Sequence, residues 1–523
     1  MKKNLLATLV LLTAMATHCF AGDIYVSLKG SDRASGEVNA PVQTIQRALR
    51  IAREWRRTSN PKADGGITIH LAKGDTFVLD EPLYIRPEDS GMPDSRTVIT
   101  GATISGGIAE DAFVQNDYPV MERMLAFDKE QEQIVIPASS LKKYGITDIN
   151  AADKYEMVVH QRWAIAILRI KDIRLSGDKA IVSFRNPESR WEFSHPWPQP
   201  VIGEERGSSS FLIRPIPTSS GLLSRLVTVE GSEFGMVHDI SFEGVTFENA
   251  SWERPLKYGH VTLQGGFPII DAYKLTENEG TPWAPTLENQ AWVTRPEAAV
   301  SLTYAERVDF KDCTFTRLAS TALDYAHHCN DAIIIGNRFE NIGGTAIMAG
   351  SFGEGPCEVH HPREYTNTGG FVIEGNTIHD ATNRDWGAVA IGCGYVRDFT
   401  IKGNNVSKVN YSGICVGWGW TPENTGMRNN RIIGNTVSDY ARVLYDAGGI
   451  YTMSNQPGSL IEKNIVSAPY PSPYATNFRA FPIYFDACTD GYTVRDNSLK
   501  VNPSIQKEKY GWNTPGPDMA VEK

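Results

Sequence analysis

Two short phrases late in the chain bring carboxylates and aromatic rings together: Asp446-Ala-Gly-Gly-Ile-Tyr451 and Tyr484-Phe-Asp486. A third, Tyr411-Ser-Gly-Ile-Cys-Val-Gly-Trp418-Gly-Trp420, sets two indoles at a Gly-flanked turn, a poor core position and a natural cleft wall. Asp385 stands four residues before Val389 just as Asp446 stands four before Ile450, and Asp324 follows Leu323 on a similar apolar strand. Paired carboxyls suit glycoside cleavage, in which one protonates the leaving oxygen and the other acts as nucleophile or activates water. Aromatic faces suit the apolar faces of sugar rings.

These residues need a frame, and the sequence repeats one. From Ile333 to Leu499 a phrase recurs, an aliphatic followed by any residue, Gly, Asn, any residue and a second aliphatic, at Asn337, Asn376, Asn404 and Asn435, with weaker copies at Asn464 and Asn497. Successive Asn are 39, 28, 31, 29 and 33 residues apart, the loose spacing of one structural unit with interchangeable loops. Each unit holds a second apolar strand, around Leu323, Ile347, Val389, Ile414, Ile450 and Ile483. Short β-branched strands with period-2 alternation and Gly/Asn punctuation predict an all-β chain, a right-handed parallel β-helix. The six Asn are expected to stack as an internal amide ladder, each taking the left-handed conformation of its corner.

Alternation then points Asp324, Tyr451, Tyr484 and Asp486 outward on one face, with Leu323, Ile450, Ile483 and Phe485 inward. Asp385 and Asp446 fall in one column two turns apart. Asp446 and Asp486 fall on consecutive turns but seven positions out of step, so pairing them requires a bend, which Gly448-Gly449 can supply. Coils lie about 4.8 Å apart, so neighbouring carboxylates can meet the roughly 5–5.5 Å of a retaining pair or the wider spacing of an inverting one.

Residues 1–21 read as a secretory signal, with Lys2 and Lys3 before the apolar run Leu5 to Met15 and small residues ending at Ala21, so the mature chain is expected outside the cytoplasm. No later apolar run suits a spanning helix. Losing the signal moves the net charge from −10 to −12, which argues against nucleic acid and anionic membranes as partners. The six remaining cysteines are read as buried free thiols. No CxxC or HExxH spacing supports a zinc site among them and His327, His328, His360 and His361, and no cofactor is implied.

Residues 22–107 read as an N-terminal cap and first coils, with a helix opened by Thr44 whose apolar face runs from Ile45 to Trp55. Residues 108–235 lack the repeat and read as a β-rich insert, the coil resuming over 236–523. Within the insert His160, Arg162 and Trp163 either contact substrate or hold the insert on the coil. Two long loops interrupt the repeats, one from Asn249 to Glu297 with Trp252, His260, Asp271, Trp283 and Trp292, the other from Gly350 to Gly370 with Glu354, Glu358, His360, His361 and Arg363. Loops of that length on a rigid scaffold are usually functional.

The block His260 to Asp324, the Gly-Trp-Gly-Trp phrase ending at Trp420, the Asp446 phrase and the Tyr484-Phe-Asp486 phrase resemble glycoside hydrolase family 141. The resemblance implies an exported bacterial β-helix enzyme acting on complex pectin as an α-L-fucosidase, or on xylan. It also implies a retaining mechanism with Asp446 and Asp486 as the catalytic pair; which of them is nucleophile and which acid/base stays open, with a slight preference here for Asp446 as nucleophile. Asp385, Trp418, Trp420, Tyr451, Asp324, Tyr484 and His260 are the substrate-binding candidates, in a monomer that takes an oligosaccharide or polysaccharide. Ala447, where relatives carry a third Gly, departs from the family pattern. Two other classes stay open at this point: a lyase or epimerase of the same fold, which needs a basic proton abstractor, and a non-catalytic glycan-binding protein.

Overall fold

The computed structural model describes residues 21–107, 120–195, 198, 200–217, 223–270, 293–353, 368–474, 479–504 and 506–522. Short parallel strands wind into three sheets, two of ten strands and a third of fifteen that includes a short side branch. In every sheet the strand order steps from one coil to the next. Each strand pairs in register with its equivalent, as Ile391 does with Ile414, Ile414 with Ile450, and Ile450 with Ile483. Inward-facing aliphatic and Phe side chains stack along the axis in one continuous core.

The six-Asn ladder forms as expected. Asn337, Asn376, Asn404, Asn435 and Asn464 each donate through Nδ2 to the Oδ1 of the next Asn, at 2.9–3.0 Å, ending at Asn497. Each Oδ1 also accepts the backbone N–H of the preceding Asn, so a rung satisfies main chain as well as side chain. The left-handed conformation falls one residue earlier than expected, on Gly336, Gly375, Gly403 and Gly434, at φ between 63° and 68°. Where the Gly is missing, Lys463 and Asp496 take it. The glycines make the corner and the asparagines close it.

Asn404→Ala is expected to orphan several buried polar groups at once, among them the backbone N–H of Asn376 and the Ile373 carbonyl. At about 1–3 kcal/mol per group, the denaturation midpoint falls markedly, measured by urea titration against Asn497→Ala at the half-buried end of the ladder.

The N-terminal cap is the helix Ile45–Arg57, N-capped by the Thr44 side chain, which buries Ile45, Ala48, Leu49, Ile51 and Ala52. It covers a coil edge that would otherwise expose unpaired strand groups. The chain leaves the coil after Thr103–Ser105 and returns at Val227–Glu230, which pairs with both Leu83–Ile85 and Ala298–Thr303. The return thus precedes the 236 boundary read from sequence. Val227–Glu230 is too short, and too close to the turn before Val237, to read as a coil strand without its partners.

The insert is an antiparallel sheet built on Tyr155–His160, Ile165–Ser176, Lys179–Phe184 and Ser210–Pro215. His260–Val261, from the long loop between coils, adds a strand to it. A second apolar cluster joins the insert's inner face to outward side chains of the coil, including Met348, Phe352, Trp418, Tyr451 and Tyr484. The face that alternation left as an open groove is therefore largely roofed. Among the described residues no helix is long and apolar enough to cross a membrane. Cys313, Cys329, Cys393, Cys415 and Cys488 are free. Cys357, Asp271, Trp283, Trp292, Glu354, Glu358, His360, His361, Arg363 and residues 1–20 lie outside the described residues.

Candidate active site

Asp446 enters the strand Ala447–Thr452 and Asp486 leaves the strand Ala480–Phe485, its in-register neighbour on the next turn. Gly448 is required where it stands, since a side chain there would strike the Ile450 carbonyl oxygen. Asp446 itself takes φ +62°, a region where a non-Gly residue must be held by its surroundings. Tyr411 Oη donates to the Asp446 carbonyl at 2.9 Å. The insert holds the approach: His160 Nε2 donates to the Val443 carbonyl at 3.0 Å, and Tyr445 N donates to the Arg162 carbonyl at 3.0 Å.

The His160 side chain therefore holds the insert to the coil, the second of the two roles the sequence allowed, whereas Arg162 does so through its backbone alone and keeps its side chain exposed. Burial, with the Arg123 charge adding to it, holds the His160 imidazole down at about 4, so it is a neutral donor at ordinary pH. Trp163 has the same kind of role, its Nε1 donating to the Leu263 carbonyl at 3.0 Å.

Two tyrosines on adjacent turns serve the two carboxylates crosswise. Tyr484 Oη donates to Asp446 Oδ1 at 2.8 Å, and Tyr451 Oη donates to Asp486 Oδ2. Their rings meet edge to face with centroids 5.1 Å apart. Asp486 also accepts from Trp420 Nε1 at 3.0 Å and from Asn513 Nδ2 at 2.7 Å. Both of its oxygens face donors, the arrangement of a carboxylate. Asp446 has fewer donors, with Arg479 Nη1 standing 3.4 Å from Oδ1. Burial, and next the charge of Asp486, push the Asp446 carboxyl up to about 6 against the pull of Arg479 and Tyr484.

The other expected site residues divide. Trp420 is half-buried at Asp486, but Trp418 is 3% exposed, packed by Phe267, Phe352 and Trp420 with ring centroids 5.3, 5.2 and 4.8 Å away. It is a core residue of the second cluster rather than an open wall. Trp252 is likewise buried, edge-on to the His260 ring at 4.6 Å.

Asp385 is not in the Asp446 column. The strand here is Ile391–Cys393, and pairing of Ile391 with Ile414 and Ile414 with Ile450 puts Gly387 at the equivalent place. The Asp385 carboxylate is buried and accepts from His260 Nε2 at 3.0 Å, so both residues are committed to each other. Asp324 is held by a two-pronged Arg295 contact at 2.7 and 2.6 Å. Sequence reasoning missed Arg479, Asn513 and Gln264 altogether. Only Arg479 had a signal, since strand register sets it opposite Asp446.

Against Tyr411 and Tyr451, the tyrosines bonded to the two aspartates, lies a cavity of about 20 Å³ whose exposed lining is apolar, walled also by Gln264, Met348, Phe352, Val389, Trp418 and Met453. That is room for one group of water or methyl size, and a water there would lack the several polar partners it needs.

A family model described as the GH141 insertion domain matches residues 104–218, and one described as a right-handed beta helix region matches residues 364–504. A solved structure named as a glycoside hydrolase aligns with a TM-score of 0.87 at 32% identity, over 96% of this chain and 96% of its own. The chain belongs to glycoside hydrolase family 141. Of the classes left open, membership favours the glycoside hydrolase.

More distant solved structures include XylC in complex with xylose, at 12% identity over 92% of this chain and 72% of that one, with a TM-score of 0.42. Another is a glycoside hydrolase family 136 lacto-N-biosidase from Eubacterium ramulus, at 10% identity over 96% and 68%, with a TM-score of 0.41. No curated protein matches the sequence.

Proposed function

We propose that this enzyme hydrolyses a 6-deoxyhexoside, an α-L-fucoside of complex pectin, by double displacement with Asp486 as nucleophile and Asp446 as acid/base. The observation that carries the chemistry is the unequal pair: one carboxylate with donors on both oxygens, the other raised to about 6 by burial and its neighbour's charge. A group that must give a proton and take one back works best with its pKa near the operating pH. The roles are thus the reverse of those favoured from sequence.

Asp486 attacks the anomeric carbon while Asp446 protonates the departing oxygen. Asp446 then deprotonates a water that displaces Asp486 and releases the sugar with its configuration retained. The charge of Asp486 acting on Asp446 across adjoining turns supports a spacing short enough for this sequence of steps.

The apolar cavity favours a fucoside over xylan. The C5 methyl of a 6-deoxyhexose matches its size and its lack of polar partners, whereas xylose has no carbon to place there. We also place the enzyme outside the cytoplasm, on the signal-like residues 1–21.

The test compares aryl α-L-fucosides with α-L-galactosides, which differ only by a hydroxyl on that carbon. The fucoside is expected to react about 10–200-fold faster in kcat/KM, the discrimination a hydrophobic pocket provides. Nuclear magnetic resonance should detect the retained anomer first. Equal rates would remove the cavity from substrate recognition, an inverted first product would remove the double displacement, and preferential release of xylose from xylo-oligosaccharides would favour the second substrate.

A further inference from the structure

Gln264 sits at the tip of a hairpin that belongs to neither strand of the catalytic pair. The hairpin opens at His260–Val261, turns through Gly265 and Gly266 at φ +60° and +80°, and closes with Ile269 N donating to the Val261 carbonyl at 2.8 Å. It is locked to the coil from below, since a Cβ on Gly266 would come within 2.7 Å of Asp385 Oδ2, the atom that His260 bonds. The insert holds its side through Trp163, bonded to the Leu263 carbonyl. The buried His260–Asp385 pair thus has a function other than touching substrate: it seats the loop that carries Gln264.

From that tip Gln264 Nε2 reaches Tyr411 Oη at 3.3 Å and Tyr451 Oη at 3.2 Å. Each tyrosine has a single hydroxyl proton, and each has spent it, Tyr411 on the Asp446 carbonyl and Tyr451 on the Asp486 carboxylate. Both phenol oxygens can therefore only accept, and a primary amide nitrogen carries the two N–H groups needed to serve both. One side chain closes a hydrogen-bonded path from the backbone of one aspartate to the carboxylate of the other.

We infer that Gln264 is a positioning residue for hydrolysis, fixing Tyr411 and Tyr451, and through them Asp446 and Asp486, in one mutual geometry. This rests on the reading of those two aspartates as the catalytic pair. Gln264→Glu tests it with little change of shape, because two donors become acceptors facing two oxygens that have no proton to give.

The expected result is a fall in kcat of about 10²-fold, in line with a small misplacement of reacting groups, with KM within a few-fold, read at a temperature below the lowered thermal midpoint that two unsatisfied contacts produce. The alkaline limb of the pH–rate profile moves upward, since a further negative charge beside Asp446 favours its protonated form. Gln264→Met and Tyr411→Phe, which break the path without adding charge, should lower kcat without moving that limb.

Wild-type kcat in Gln264→Glu while Asp446→Asn and Asp486→Asn are inactive would overturn the inference and leave the catalytic reading intact. A rise in KM alone would also overturn it, making Gln264 a substrate contact. Full activity in either aspartate variant would instead overturn the reading beneath it.

Discussion

Asp486→Asn is expected to lower turnover by roughly 10⁴-fold or more, the scale of losing a nucleophile that acts as part of a unit, with the fold unchanged. The amide keeps the shape and most of the contacts of Asp486. Its oxygen can still accept from Tyr451 and Trp420, while Asn513 can rotate its own amide to meet the new N–H₂. What is lost is the electron pair that attacks the anomeric carbon.

Azide should restore part of the rate on an aryl glycoside. It enters the space beside the neutral amide, forms the bond to the anomeric carbon as the aryloxide leaves, and yields a glycosyl azide inverted relative to the substrate. Isolation of a retained azide product, or turnover near the wild-type rate, would exclude Asp486 as nucleophile.

Asp446→Asn has the second large effect, and it acts in two directions. On a substrate with a poor leaving group kcat falls by roughly 10²–10⁴-fold, whereas a nitrophenyl leaving group, which departs without a proton, should lose far less in the first step. Stability moves the opposite way. The Asp446 carboxyl is raised from 3.8 to about 6 in the folded protein, so between those values the folded state binds more protons than the unfolded chain.

Folding stability contributed by this group is thus complete below pH 3.8 and is lost as pH rises through 6. At neutral pH the ionised carboxylate costs up to about 3 kcal/mol. The Asn variant should unfold at a higher denaturant concentration than wild type at pH 7 and at nearly the same one at pH 3.5. Equal midpoints at both pH values would show that Asp446 is not destabilised by burial and by Asp486.

Such a trade is expected where a site stores strain. Asp446 combines a left-handed backbone, partial burial and a like charge nearby, and no one of these helps the fold. The surrounding structure supplies what holds it: Tyr411 on its carbonyl, Tyr484 on its carboxylate, and the insert gripping Val443 and Tyr445 just before it. The insert thus holds the chain entering Asp446, although among the described residues it contributes none of the groups bonded to either carboxylate.

The residues that could be read in advance share one property, that they recur or stand next to something that recurs. The Asn ladder is written into the chain once per coil, so its spacing shows the solenoid. Asp446 and Asp486 flank strands of that repeat on consecutive turns. Asp385 was misassigned because Val389 imitates the strand aliphatic, while the observed pairing runs through Ile391. Trp418 looked exposed because its turn is Gly-flanked. Its burial comes from Phe267 and Phe352, which lie on segments far away in sequence.

By itself the sequence determined the parallel coil, the inward and outward faces of its strands, the amide ladder and the two aspartates on neighbouring turns, because a one-dimensional repeat encodes its contacts locally. Only the tertiary structure decided which outward faces stay open, that Asp385 and Asp324 are already paired, and that Gln264, Arg479 and Asn513 converge around Asp446 and Asp486. Each of those contacts joins segments with no shared period, so their meeting depends on how the insert and the long loop pack over the coil and leaves no pattern along the chain.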